Sequence, residues 1–267
     1  MPEIPDLEVI RGFLNQRIPG LRIERAEAII PVVFRVPKAD FVATLEGNTL
    51  AETRRQGKFL LFGLESGHVL AVNPMLSGRF QYVRPDAKRR ARTCMALGLA
   101  DGWELRYSDE RVMGKIYLVR EGDLNSIPQF PEMGPDALEV SQEEFAQRLR
   151  RHAGQIKNIL VNHRFLAGIG NAYADEILLA ARIHPYRKRP TLSDEEVARL
   201  HAAIGEVMRW AIPIVAEHMR DELDYEERRD FLKIHRKGGQ PCPICSARIS
   251  EITAGRRITN FCRNCQK

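Results

Sequence analysis

Four of the five cysteines fall near the C-terminus as two C-x2-C pairs, Cys242 with Cys245 and Cys262 with Cys265. Sixteen residues separate the pairs, in the stretch CPICSARISEITAGRRITNFCRNC. Two knuckles at this spacing deliver four thiolates to one tetrahedral ion, the pattern of a zinc ribbon. The alternative is two disulfides, which belong to oxidising compartments. MPEIPDLEVIRG carries acids where a secretory leader is basic and has no cleavable apolar core, so a reduced, cytoplasmic setting is expected. One structural Zn2+ is therefore expected, since no open coordination position is visible. A ribbon this short has little core of its own, and metal binding would supply most of its folding free energy. The fifth cysteine, Cys94 in ARTCMALGLA, reads as a small core residue of a strand.

Ahead of the ribbon the hydrophobic period changes once. Leu7, Ile10, Leu14 and Ile18 recur at helical spacing. From about residue 20 to 120 short apolar runs follow: LRIERAEAII, KFLLFGL, HVLAVNPML, ARTCMALGLA and WELRYSD, parted by turn sequences such as ESGH and ADGW. Short strands without intervening long helices predict an antiparallel sandwich or barrel. IPQFPEMGPDAL, rich in proline, reads as a linker. Beyond it the capping pairs Ser141 with Glu144 and Ser193 with Glu196 open helices. IKNILVNHRF, LAGIGN and AYADEILLAARIHP read as helix, glycine-rich turn, helix. Residues 216–237 are dense in charge and read as a solvated helix, with a loop as the other option.

The chain has 267 residues, 44% of them hydrophobic and 28% charged, which is ordinary for a folded globular protein. No stretch approaches the roughly 18 apolar residues of a membrane span. Lys and Arg exceed Asp and Glu by 41 to 35, a net charge of +6 that admits a polyanionic partner without specifying one.

Several residues can carry chemistry. Removal of Met1 would leave Pro2 with a secondary amine, a nucleophile able to form an iminium with an electrophilic carbon. Glu3 beside it could donate and accept protons. Gly168 and Gly170 in GIGN let backbone approach a ligand at the start of a helix, and Asn171 reads as an N-cap or phosphate donor. Read alone, the same residues make an ordinary helical corner. Lys58 stands at the lip of an apolar strand, and Arg256 and Arg257 in the ribbon are candidate phosphate grips. Each could equally be a solvated surface charge. Together they suit chemistry on nucleic acid.

These residues resemble the Fpg/Nei family of DNA glycosylases. The resemblance runs through MPEIPDLE, LSG at 76–78, LRYSDER at 105–111, GPDAL at 134–138, AGIGNAYADEIL at 167–178, IHP at 183–185 and the terminal CPIC…FCRNCQK. It implies an α+β fold: an N-terminal antiparallel β-sandwich over 1–125, a linker over 126–137, a helical region with a helix–two-turn–helix over 138–237, and a C4 zinc finger over 238–267. It implies a monomeric, cytoplasmic, nucleoid-associated bacterial enzyme whose partner is double-stranded DNA containing damaged bases or abasic sites, with no membrane partner. The implied reaction is glycosylase and AP lyase chemistry. Pro2 attacks the sugar's anomeric carbon, Glu3 assists ring opening, and the Schiff base promotes elimination. Lys58, Asn171 and a ribbon arginine match the family's phosphate grips. Counting back from Cys262 selects Arg257 and counting forward from Ala254 selects Arg256.

Three departures bear on specificity. Where the family reads HLGMSG this chain reads NPMLSG, placing Asn73 and Leu76 at the variant positions. The trio that fills the space of the flipped base would then be Leu76, Arg111 and Met113, although Leu76 and Met113 could also be core residues. Asp6 stands where the family carries a second glutamate. Residues 216–232 are strongly charged where the 8-oxoguanine enzymes carry a glycine- and serine-rich stretch. Oxidised or ring-opened purines are the expected substrates. The alternatives are an endonuclease VIII-like enzyme for oxidised pyrimidines and a catalytically silent lesion- or structure-binding protein.

Overall fold

The computed structural model describes residues 2–219, 223–224, 227–254 and 257–267. The chain divides into two compact units, Met1–Pro131 with Ile212–Glu227 and Glu132–Ala211 with Arg228–Lys267.

The first unit opens with α1 (Ile4–Asn15), whose Ile4, Leu7, Ile10 and Leu14 are all buried. Two antiparallel sheets follow. One has the order β1 (Ile23–Ala28), β6 (Thr93–Leu99), β7 (Glu104–Asp109), β5 (Gly78–Val83) and β9 (Leu223–Asp224). The other runs β2 (Leu50–Gln56), β3 (Phe59–Leu64), β4 (His68–Asn73) and β8 (Lys115–Arg120). A short helix α2 (Lys38–Leu45) packs beside β1 and buries Phe41 and Leu45. The Phe62 and Phe80 rings, one from each sheet, lie 6.0 Å apart, and Phe80 continues to Tyr107 at 5.2 Å. Cys94 is wholly buried on β6, as its apolar setting predicts.

Strand β7 is buried along its whole length, so both of its faces must be satisfied internally. One face presents Leu105, Tyr107 and Asp109, and the other Glu104, Arg106 and Ser108. The Arg106 guanidinium, fully enclosed, donates to Glu104 at 2.7 Å and to the carbonyls of Ala87 (2.8 Å), Pro85 (2.9 Å) and Arg84 (3.4 Å). Arg106 thereby ties the loop 84–87 to the sheet, while Arg25 and Arg89 reach Glu104 from the surface.

The second unit holds α3 (Gln142–Leu149), α4 (Ile156–Leu160), α5 (Asn171–Ala180) and the first part of α6 (Asp194–Glu217). The Ser193–Glu196 capping box forms in full, with Glu196 N–H to Ser193 Oγ at 3.2 Å and Ser193 N–H to Glu196 at 2.9 Å. The ribbon is the hairpin of β10 (Ser250–Ala254) and β11 (Arg257–Phe261). No helix among the described residues is long and apolar enough to cross a membrane.

Two sequence expectations are corrected. The described residues of 216–237 do not continue as a solvated helix and follow the loop option instead: α6 ends at Glu217, Leu223 pairs with Tyr82 on β5, and 227–237 is irregular. Without a continuous apolar face the helix has nothing to pack along, and the sheet edge offers Leu223 complete burial instead. Ile212–Glu227 groups with the first unit. The helix expected over 156–165 is also shorter, ending at Leu160 before turns carry the chain to α5.

Arg106→Met should lower the stability of the first unit by about 3 kcal/mol, because it leaves Glu104 buried with only surface cations. A lowered denaturation midpoint measured on a probe such as Trp103 fluorescence checks this; an unchanged midpoint contradicts it.

Candidate functional site

The N-terminal turn is built by α1. Pro2 and Glu3 are buried, and Glu3 occupies the N-cap. Asp6, three residues on, accepts the Glu3 backbone N–H at 2.7 Å, one leg of a capping box. The shorter acid at position 6 therefore fixes the backbone that carries Pro2 and Glu3. One turn later Glu8 accepts from Arg11 at 2.7 Å and from the Nε of Arg55. The same Arg55 guanidinium donates to the Gly57 carbonyl at 3.0 Å. Gly57 and Lys58 form the two-residue turn between β2 and β3. Arg55 thus bridges α1 to the turn that carries Lys58. Sequence reasoning missed Arg55 and Glu8, because their connection spans 47 positions.

The loop between β4 and β5 carries Leu76, and the loop between β7 and β8 carries Arg111 and Met113. Leu76 is 39% exposed, Met113 is 41% exposed and Arg111 is exposed. None of them is a core residue. Asn73 Oδ1 accepts the Met75 N–H at 3.0 Å, so the asparagine shapes its own turn.

In the second unit, Gly168 adopts φ +104°, a conformation that favours glycine, on the way into α5. The N-cap is Gly170, with Asn171 as the first helical residue, which corrects the N-cap reading of Asn171. Asn171 Nδ2 donates to the Ile258 carbonyl at 2.8 Å, and its Oδ1 is buried without a partner among the described residues. Lys157 Nζ, from α4, donates to the same carbonyl at 2.9 Å and to Thr259 Oγ1 at 2.9 Å, and forms an ion pair with Asp175 at 2.6 Å. Asp175 also accepts from His235 Nδ1 at 2.7 Å and from the Asn260 N–H at 3.2 Å. Its neighbour Glu176 accepts the backbone N–H groups of Lys233, Ile234 and His235 at 3.0, 2.9 and 2.9 Å. Burial pushes the Glu176 carboxyl above its usual range, against the pull of those three donors. Two adjacent acids within the otherwise apolar AYADEILLA were the available sequence signal for this network.

The sulfurs of Cys242, Cys245, Cys262 and Cys265 all lie within 4.8 Å of one another, with Cys242–Cys265 at 3.9 Å and Cys245–Cys262 at 3.5 Å. A tetrahedral zinc with Zn–S near 2.3 Å requires sulfurs about 3.8 Å apart, so the donor set fits that ion. The Ala247 backbone draws the Cys245 thiol down to about 6, whereas burial pushes Cys265 up to about 12. Four crowded thiolates need a cation among them. The knuckles pack on Leu179 of α5, Ile234 and Ile249. Gln266 accepts the Cys262 N–H at 2.8 Å and donates to the Ile183 carbonyl at 3.0 Å, tying the chain end beneath the ribbon. Arg257 is exposed at the start of β11. Gly255 and Arg256 lie outside the described residues, as do Met1 and most of 220–226.

Residues 1–116 match the formamidopyrimidine-DNA glycosylase N-terminal domain, 133–222 the H2TH domain of the same enzymes, and 239–267 the zinc finger found in FPG and IleRS. The formamidopyrimidine-DNA glycosylase of Pelotomaculum thermopropionicum is 34% identical over 274 residues, covering 100% of this chain and 99% of its own. A solved complex of the Lactococcus lactis Fpg with DNA containing an abasic site superposes with a TM-score of 0.91 at 28% identity, covering 99% of each chain. The Lactococcus lactis Fpg complex with DNA containing Fapy-dG gives 0.90 at 27% identity, over 99% of this chain and 100% of the other.

Lys157→Met should destabilise the second unit by about 3 kcal/mol, since it removes the cation from a buried ion pair. It should also speed amide exchange across Ile258–Phe261, whose first carbonyl loses a donor. Exchange unchanged from wild type would show that Lys157 does not hold the ribbon.

Proposed function

Because the chain belongs to the formamidopyrimidine-DNA glycosylase family, we propose that it excises oxidised or ring-opened bases from duplex DNA and then cuts the strand through an imine at Pro2. The observation that carries this reading is the N-terminal turn, in which Pro2 and Glu3 are buried together on a backbone pinned by Asp6. With Met1 removed, Pro2 is a secondary amine. Its nitrogen bonds to the anomeric carbon, the glycosidic bond breaks, and the base leaves with a proton. Glu3 supplies and recovers the proton as the sugar ring opens. The iminium then acidifies the neighbouring sugar carbon, whose proton loss expels the 3′ phosphate, and water releases Pro2. The target must leave the stack first, at a cost of a few kcal/mol.

Lys58, Asn171 and a ribbon arginine, Arg257 or Arg256, grip the phosphates around the extruded nucleotide. Gly168 and Gly170 bring the start of α5 close to the backbone, and Leu76, Arg111 and Met113 occupy the vacated space. The exposure of Leu76 and Met113 supports that assignment over core packing. Cys242, Cys245, Cys262 and Cys265 would hold one zinc, which supplies structure to the ribbon and no chemical step. Purine lesions are favoured by the PEIP opening and by the curated relatives, which carry the name formamidopyrimidine-DNA glycosylase.

Borohydride reduction in the presence of duplexes carrying formamidopyrimidine, 8-oxoguanine, thymine glycol or an abasic site tests the reading. Wild type should give a covalent adduct that is lost in Pro2→Gly and when Met1 is retained. Absence of adduct with every substrate, the abasic duplex included, supports the silent binder instead. A preference for thymine glycol supports the pyrimidine enzyme. Chelation of zinc should unfold the hairpin Ser250–Phe261 and weaken DNA binding, read by circular dichroism and fluorescence anisotropy; full affinity in metal-free protein contradicts the structural role.

A further inference from the structure

Asp109 ends strand β7 completely buried, yet its carboxylate is surrounded by groups from two loops. Its Oδ1 accepts from the Ser77 hydroxyl and from the Arg111 N–H at 3.2 Å. Its Oδ2 accepts the Met113 N–H at 2.8 Å and the Gly114 N–H at 2.6 Å. Ser77 Oγ in turn accepts the Arg111 N–H at 3.1 Å, which closes a ring between the loops. Asp109 and Gly78 are register partners in the β7–β5 ladder, so one residue stands at the root of both loops.

Both loops hold strained backbone. Met75 lies at φ +49° and Val112 at φ +53°. Neither is glycine, and a β-branched residue in this region is a rare outlier that persists only where its surroundings over-determine it. The three backbone N–H bonds to Asp109, from Arg111, Met113 and Gly114, supply that constraint on either side of Val112. The Tyr107 hydroxyl, whose acidity is suppressed by burial and then by the Asp109 charge, fills the space beneath. A Cβ at position 114 would lie 1.9 Å from that hydroxyl, so the second loop has no freedom to sink toward the sheet.

We infer that Asp109 is a positioning residue for base extrusion, clamping the loops that carry Leu76, Arg111 and Met113 into one preformed wedge. The inference rests on the DNA glycosylase reading above and adds to it a residue that touches no substrate. Its physical basis is preorganisation. Leu76 and Met113 expose apolar side chains to water, and a wedge that must unstack a base step works only if its parts arrive already ordered. A buried carboxylate is suited to this, because its bonds to backbone N–H groups are charge-assisted and fix main chain directly.

The test compares wild type with Asp109→Asn and Ser77→Ala on a duplex carrying a formamidopyrimidine lesion and on the same duplex with an abasic site, where no base must be extruded. Both duplexes carry 2-aminopurine beside the target, so unstacking is read as fluorescence without reference to chemistry. Asp109→Asn, which offers an amide where N–H groups need an acceptor, should cut lesion excision and the fluorescence rise by about tenfold or more, the factor one charge-assisted bond carries. Cleavage at the abasic site should stay within about threefold of wild type, a difference below 1 kcal/mol. Ser77→Ala, which removes the hydroxyl's bonds to Asp109 and from the Arg111 N–H but leaves the three backbone bonds to Asp109, should show the same pattern with smaller size and keeps the test open if Asp109→Asn does not fold. Equal losses on the two duplexes would overturn the inference, as would unchanged unstacking in both variants. Failure of wild type to trap any substrate with borohydride, while the variants still differ in unstacking, would sink the enzyme reading and leave the wedge standing.

Discussion

Side-by-side burial of Asp175 and Glu176 on α5 is the constraint around which the second unit is arranged. Taking a carboxylate out of water costs several kcal/mol unless partners replace the lost hydration. The chain supplies those partners from three distant places: Lys157 on α4, the backbone of 233–235, and the ribbon strand through Asn260. Meeting the needs of two acids therefore brings together a helix, an irregular segment and the zinc-finger hairpin. The carbonyl of Ile258 then receives both Lys157 and Asn171, so a candidate phosphate grip and the ribbon are held by one oxygen.

The first unit uses the same device at a smaller scale. Each of its candidate functional segments is held by a buried or half-buried ion whose bonds go to main chain. Asp6 fixes the turn of Pro2 and Glu3, Arg55 fixes the turn of Lys58, and Asp109 fixes the loops of Leu76, Arg111 and Met113. Arg106 does this for the loop 84–87, where no functional residue has been placed. Bonds to backbone set the path of a loop whatever side chains it carries, so the presenting residues can differ while the presentation persists. This is a physical reason why Leu76 can stand at the proposed wedge without disturbing its mount.

Much of the fold was legible because hydrophobic period is local. Residues 23–28, 59–64, 68–73, 93–99 and 104–109 are strands where apolar runs predicted them, and Ser141 and Ser193 open helices as their capping partners predicted. Over 216–237 the helix reading failed where the loop reading did not, because charge density says that a stretch is solvated but not which neighbour it meets. Burial of Leu223 on the β5 edge decides its course, and that edge is formed some 140 positions earlier in the chain. The site divides along the same line. Pro2, Glu3, Lys58, Asn171 and the cysteines stand in short motifs, whereas Arg55, Lys157, Asp175, Glu176 and Asp109 act through partners that no motif spans.

The sequence by itself determined the chemistry available to this protein: a proline at position 2 beside an acid, four thiols at ribbon spacing, and cations near glycine-rich or hairpin turns. These depend on residue type and short spacing, which are local properties. Only the tertiary structure decided how they are held. Which carboxylate receives which N–H depends on what burial brings into contact, and a buried ion must be satisfied by whatever the fold places beside it. Asp109 shows the difference: in LRYSDER it is one charge among several, and in the structure it is the point to which two loops are tied.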